Sequence, residues 1–336
     1  MAHMRFRKAI ATALADEMRQ DQSVIVFGED VAAAGGPFKT SEGLLDEFGA
    51  MRVRDTPISE MGFTGAALGA AVMGMRPVIE IMFIEFLGVA LDQLVTEAAK
   101  FRYLSNGQVS VPMTVRASVG SGLGFGAQHS QTFETWLAAT PGLKVAVPSD
   151  PQTAYGLTRA AIRDPDPVVV LEPRALYADR GPVVTGEEGF VELGKARTVR
   201  KGSASTVVTL GQTTGVALAA AEAGLDIDIV DLLTIYPWDR ETVLASVRRT
   251  GRLVVIEEAP ESGGWGHEIV STVTSAAFAD LQAAPFRITA PNTPVPYAKA
   301  LEARYLPTAE EVGRQMSSYL STGVVPAPWW VREGVA

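Results

Sequence analysis

Short apolar runs recur along this chain, each separated from the next by a stretch whose apolar residues fall at helical spacing. Residues 5–20 place Phe6, Ile10, Ala13, Leu14 and Met18 on one face of an amphipathic helix. The run 23–28 is apolar and closes on Gly28, which predicts a buried strand. Residues 41–48 read as a short helix that Ser41 could cap, and Val53 begins the approach to a turn at Glu60. Residues 77–83 predict the next strand. Residues 86–103 predict a long helix through Phe86, Val89, Ala90, Leu94, Val95, Ala98 and Phe101. Strands follow at 111–116, 143–148 and 168–172, with a helix over 152–162 between the last two. Apolar strands alternating with helices predict a mostly parallel sheet covered on both faces.

The texture changes near Gly181, where a glycine- and charge-rich connection with one short strand begins. From Ser205 the alternation resumes. Strands are expected at 205–210, 227–232, 253–257 and 286–288, and helices over 215–223, 240–248 and 266–281. The expected architecture is α/β: two doubly wound domains over 5–185 and 205–330, joined by a connection at 186–204.

Composition narrows the function. At 336 residues and 47% hydrophobic, the chain can bury two cores. Its formal charge of -9, with no basic run, argues against nucleic acid or anionic lipid as a partner. There is no cysteine, so disulfides, thiolate metal sites and cysteine nucleophiles are excluded. No apolar run reaches the roughly 18 residues of a membrane span, and no signal peptide is evident, so a soluble, cytoplasmic protein is expected. Met1–His3 reads as an artificial addition ahead of Met4.

Candidate chemistry gathers in a few places. In Asp55–Phe63, Pro57 holds Thr56 extended, so a helix should begin after it. Glu60 would lie at that helix start, where the dipole favours a carboxylate. The small residues Gly62, Ala66, Gly69 and Ala70 would let another backbone approach closely. Glu29 and Asp30 follow a predicted strand, at the end where ligands bind in open α/β sheets. Gly122-x-Gly124-x-x-Ala127 fits a loose dinucleotide fingerprint, with Asp150 after the next strand, but glycine at every second position reads more as a flexible loop. His129 follows that loop and could act as acid, base or anion partner; His267 reads as a helix-start histidine. A nucleophile elbow, a zinc-ligand set and a Walker phosphate loop are all missing from the sequence. The turn 162–167 could hold a monovalent cation or be a plain Pro/Asp turn.

Taken together, Phe27–Val31, Asp55–Gly62, Arg76–Pro77 with Glu80–Phe83, Leu87–Lys100, Ala127–Gln131, Pro141–Val145 and Ala161–Pro167 resemble the beta subunit of the thiamine-diphosphate-dependent decarboxylating component of 2-oxo acid dehydrogenase complexes, of the pyruvate and acetoin dehydrogenase branches. The resemblance implies a pyrimidine-binding domain followed by a transketolase C-terminal-like domain. It implies that Glu60 hydrogen-bonds the cofactor's aminopyrimidine ring; a carboxyl group sharing a proton with that ring favours the imino tautomer that activates the thiazolium carbon. By the same resemblance, Phe86 stacks on the pyrimidine with Ile58 and Met82 beside it. Glu29 lies in a polar tunnel between two cofactors, and His129 faces substrate and the incoming lipoyl group. Met113, Ala161, Ile162, Asp164 and Asp166 form a potassium site.

The Gly-Asp-Gly element that holds Mg²⁺ and the diphosphate is missing from the sequence. An alpha subunit is therefore expected to supply that half, in an α₂β₂ assembly served by a dihydrolipoyl acyltransferase core. Leu233 and Asn292 depart from the family pattern, in the C-terminal domain. The implied activity is decarboxylation of a small 2-oxo acid with acyl transfer to a lipoyl domain. The alternatives are cleavage of a 2-hydroxy ketone by an acetoin dehydrogenase, and a non-catalytic scaffold subunit; a nicotinamide enzyme using residues 120–127 is a more distant one.

Overall fold

The computed structural model describes residues 2–331. The chain forms two compact units. One runs to Gly120 and takes in Trp136–Leu193 and Ile235–Pro237; the other holds Ser121–Thr135, Gly194–Thr234 and the described residues from Trp238 onward.

The first part of the chain gives β1 (Ala2–Arg5), α1 (Phe6–Gln20), β2 (Val24–Gly28), α2 (Leu44–Phe48), β3 (Val53–Asp55), α3 (Glu60–Val72), β4 (Arg76–Ile81), α4 (Leu87–Leu91), α5 (Ala99–Leu104), β5 (Thr114–Val119), α6 (Glu134–Ala138), β6 (Lys144–Ala146), α7 (Pro151–Arg163), β7 (Val168–Pro173) and β8 (Arg180–Val183). The rest gives β9 (Arg197–Arg200), β10 (Ser205–Thr209), α8 (Thr213–Glu222), β11 (Ile227–Asp231), β12 (Thr234–Tyr236), α9 (Arg240–Thr250), β13 (Leu253–Pro260), α10 (Gly266–Ala277), β14 (Phe286–Ala290), α11 (Lys299–Glu302) and α12 (Ala309–Thr322).

In the first unit the sheet order is β12-β6-β7-β5-β4-β2-β3, and β6 through β3 are joined by parallel pairings. Every residue of β5 and β7 is buried, as a sheet covered on both faces requires. Helix α1 buries Phe6, Ile10, Leu14 and Met18 against α7, and Arg159 and Arg163 of α7 donate to Glu17 of α1 at 2.6 and 2.8 Å. Helix α7 starts where its sequence says it should: Asp150 accepts from the Thr153 amide at 2.8 Å, with Pro151 in the first turn.

Three expectations change. Ser41 does not cap α2, which begins at Leu44 after Gly43; its hydroxyl donates to the Val31 carbonyl at 2.8 Å. The helix expected over 86–103 is interrupted by a π-helical stretch, Asp92–Ala98. Its buried residues Ala90, Leu94 and Ala98 recur every fourth position; in an α-helix of 3.6 residues per turn they would drift round the surface, and the wider turn keeps them in line. The boundary falls after Leu193, and the connection at 186–204 is not a separate linker. Its latter part is β9, which pairs antiparallel with β11 as the edge of the second sheet.

That second sheet has the order β14-β13-β10-β11-β9 and is parallel apart from β9. Val207, Ile229, Val254, Ile256 and Ile288 from its strands pack with Val312, Met316 and Tyr319 of α12. Helix α12 and the antiparallel ribbon of β1 with β8 were not anticipated, although Thr308 and Glu311 form a reciprocal capping box readable in the sequence. Ala2 and His3, read as an artificial addition, lie in that ribbon. Among the described residues no helix is long and apolar enough to cross a membrane.

Candidate active site

The strand register of the first unit gathers the expected site residues at one sheet end. Gly28, the last residue of β2, pairs with Asp55, the last of β3, and with Glu80 of β4. The segments leaving these three parallel strands carry Glu29, then Ile58 and Glu60, then Met82 and Phe86. This is the carboxyl end of the sheet, where open α/β folds bind ligands. Gly28 is required here: it has φ 158°, and a Cβ on it would lie 2.5 Å from the Glu80 carbonyl oxygen.

Glu60 is the first residue of α3 and is only 7% exposed. Glu29 is 9% exposed, and its Oε1 is buried without a hydrogen-bond partner. Burial, then the charges of Glu60 and Asp30, raise the Glu29 carboxyl above the ordinary carboxylate range. Two buried carboxyls with an unspent acceptor form a site that takes up a proton or a donor. Beyond Glu60, the apolar side of α3 faces outward: Ile58 is 84% exposed, and Met61, Gly62, Ala66, Gly69 and Met73 are all exposed.

Phe86 is half-buried and stands edge-on to Phe83, with ring centroids 5.7 Å apart. The Arg174 guanidinium stacks over the Phe83 ring, 4.8 Å from its centroid. Arg174 also donates to the Ser118 hydroxyl at 3.4 Å and the Gly120 carbonyl at 2.6 Å, and Ser118 donates to the Met82 carbonyl. Below this layer the fully buried Arg116 makes a two-pronged contact to Glu172 at 2.7 and 3.0 Å and reaches Glu80 at 3.0 Å. Thr40 and Tyr177 donate to the same two carboxylates at 2.9 and 2.8 Å. Sequence reasoning missed Arg116, Arg174 and Glu172 as supports. For Arg116 and Glu172 the available signal was a charge embedded in an apolar strand run, as Glu80 also is, which is viable only if the strands are neighbours; Arg174 lies past β7 and carried no such signal.

His129 belongs to the second unit, within Ser121–Thr135. Gly120, Gly122, Gly124 and Gly126 all have positive φ, 91°, 105°, 77° and 69°. No helix starts until Glu134, so the dinucleotide reading fails for want of a helix N-terminus to meet a pyrophosphate. Asp150, its expected acid, is the α7 cap. His129 is half-buried, and its amide donates to Gly126 O at 3.3 Å. His267 bonds the Gly264 carbonyl at 3.1 Å through Nδ1, at the start of α10. Leu233 is buried with φ 60°, and Asn292 accepts from the Ser262 amide at 2.9 Å.

The cation candidates come together at one turn, already furnished with protein donors. Lys144 binds both Asp164 oxygens at 2.7 Å, and Arg102 pairs with Asp166. Arg76 donates to the Ile162 and Asp164 carbonyls at 2.8 and 3.1 Å. The Met113 and Ala161 carbonyls accept the amides of Val168 at 3.1 Å and Asp164 at 3.3 Å. The two carboxylates are thus already paired with Lys144 and Arg102, and two of the carbonyls already accept from Arg76.

The sequence matches the transketolase pyrimidine-binding domain over residues 2–180 and the transketolase C-terminal domain over residues 194–312. It is 44% identical to a mitochondrial pyruvate dehydrogenase E1 component subunit beta-2 of Oryza sativa, over 93% of this chain and 85% of that protein. The chain belongs to the beta-subunit family of 2-oxo acid dehydrogenase E1 components. Within this E1 beta family it is 40% identical to the pyruvate dehydrogenase E1 subunit beta of Bacillus subtilis, over 93% of this chain and 97% of that protein. It is also 42% identical to the 2-oxoisovalerate dehydrogenase subunit beta of Pseudomonas aeruginosa, over 92% and 93% respectively. A solved split-gene transketolase, an inactive beta4 tetramer, shares the fold with TM-score 0.76 at 23% identity, covering 96% of this chain and 99% of that one. The expected α/β fold and family are thereby shown, and the acetoin and scaffold alternatives are not favoured. The residues at the sheet end fit the pyrimidine of the family's thiamine diphosphate. Glu60 and the orphaned Glu29 oxygen are buried acceptors for ring and amino donors, and Phe86 is a half-buried aromatic on the segment leaving the neighbouring strand.

Proposed function

We propose that this E1 beta chain, with an alpha subunit, decarboxylates a 2-oxo acid and passes the acyl group to a lipoyl domain. The supporting observation is the buried pair Glu29 and Glu60 at the carboxyl end of β2 and β3. Glu60 binds the aminopyrimidine ring and holds a shared proton on it, and Glu29 serves as the next proton station. Phe86, braced by Phe83 and Arg174, fixes the ring plane, with Met82 beside it and Ile58, exposed in this chain, covered once the alpha subunit is in place. Thiamine diphosphate, when bound, supplies the electron sink for decarboxylation. His129 is assigned to the substrate and lipoyl side.

The alpha subunit supplies Mg²⁺ and the diphosphate cradle in an α₂β₂ assembly, and covers the open stripe Gly62, Ala66 and Gly69. Potassium is assigned to the carbonyls around Ile162, and the compartment to the cytoplasm. Reconstitution with the alpha subunit and assay with pyruvate, branched 2-oxo acids and acetoin tests the reading. Turnover of a 2-oxo acid that requires both chains and thiamine diphosphate is expected; activity on acetoin alone would replace it with the 2-hydroxy ketone reading.

A further inference from the structure

The loop that carries His129 is held by its backbone. The Ser121 amide and hydroxyl donate to Glu258 Oε1 at 2.6 and 3.0 Å. The Gly122 amide donates to Glu302 Oε1 at 2.8 Å. Glu258 and Glu302 are 9% and 7% exposed; the Ser121 contacts are buried, and the Gly122 contact is part-buried. Gln212 donates to the second oxygen of Glu258. At the far end of the glycine run, Gly126 lies against Tyr297; a Cβ there would come within 3.1 Å of the ring. The apolar side chains between these anchors point out instead: Leu123 is 50% exposed and Phe125 38%. A loop with four glycines at positive φ has many conformations available in the absence of such anchors.

We propose that Glu258 and Glu302 are positioning residues: a carboxylate clamp on the 121–122 peptides that sets the reach of His129 toward the acyl acceptor. This inference rests on the assignment of His129 to acyl transfer. The clamp acts through main-chain amides, so it fixes the base of the loop, with Leu123 and Phe125 exposed beyond it. Glu134, at the loop's other end, is buried, and burial, then the charges of Glu258 and Glu257, raise its carboxyl to about 8. It is therefore mostly protonated at pH 7 and adds little charge beside Glu258.

The test uses the reconstituted alpha–beta enzyme with a lipoyl domain as acceptor, and in parallel an artificial one-electron acceptor that bypasses it. Glu302→Ala is expected to speed hydrogen exchange of residues 121–129 about tenfold. It should raise KM for the lipoyl domain at least fivefold, while turnover with the artificial acceptor stays within twofold. Glu302→Gln, which keeps an acceptor oxygen, should restore both, and Glu258→Gln should lie between; melting temperatures confirm that each variant folds. Unchanged exchange in Glu302→Ala would overturn the clamp. Faster exchange with an unchanged lipoyl KM, in an enzyme that His129→Ala impairs, would overturn the positioning role. If His129→Ala acylates the lipoyl domain at the parent rate, the assignment of His129 is what has failed.

Discussion

Glu29, just past the end of β2, and Glu60, at the start of α3, are both buried, and the charge on Glu60 helps to raise the Glu29 carboxyl. A raised carboxyl binds its proton more tightly folded than unfolded. Folding stability from this group is therefore full below the ordinary value of 4.5 and declines as pH rises through the raised one. Glu29→Gln should raise the melting temperature at pH 7 and leave it unchanged at pH 4. Glu60→Gln should lower the pH at which the wild-type curve bends. Thermal melts across pH 4–8 measure both, and a Glu29→Gln shift equal at the two ends would contradict the pairing.

Glu134 is a stronger case in the second unit. Its carboxyl, raised to about 8 by burial and then by Glu258 and Glu257, disfavours the folded state progressively from pH 4.5 upward. Glu134→Gln should stabilise the protein by on the order of 3 kcal/mol at pH 7.5 and by almost nothing at pH 4.5. Urea unfolding at the two pH values reads the difference.

Arg116 balances two acids in a sheet core where it is wholly buried. Arg116→Met leaves Glu80 and Glu172 facing each other without a cation and should destabilise by about 3–5 kcal/mol. Because Glu172 anchors Tyr177, which packs on Phe38 at 5.2 Å, and Phe38 stands edge-on to Phe83, the loss should reach the Phe86 layer. Denaturant midpoints measure the first effect; thiamine diphosphate affinity of the reconstituted enzyme measures the second.

The small-residue stripe of α3 gives a test of assembly. A Cβ on Gly69 would meet nothing within 4 Å in this chain. Gly69→Leu should therefore leave the melting temperature of the isolated chain unchanged or slightly raised. It should weaken association with the alpha subunit by at least tenfold, as seen by sedimentation of the co-expressed pair. Normal assembly would place the subunit contact elsewhere.

Much of this was legible in the sequence because strands buried on both faces write continuous apolar runs. The Pro57 break before the small residues of α3 likewise marked where Glu60 would stand. What escaped depended on pairing between distant strands. Glu80, Arg116 and Glu172 look like isolated charges until β4, β5 and β7 lie side by side. The Gly120–Gly126 loop shows its glycines but not its anchors, since Glu258 and Glu302 lie 137 and 180 residues away from the amides they hold. The π-helical stretch was masked because a four-residue apolar spacing passes for an α-helix over two turns.

The most direct measurement is turnover of the reconstituted alpha–beta enzyme carrying Glu60→Gln, assayed with the best 2-oxo acid at saturating thiamine diphosphate. Glutamine keeps the size of the side chain and removes the shared proton, so kcat should fall by at least about 10²-fold while the fold and the assembly persist. Full turnover in that variant would contradict the account.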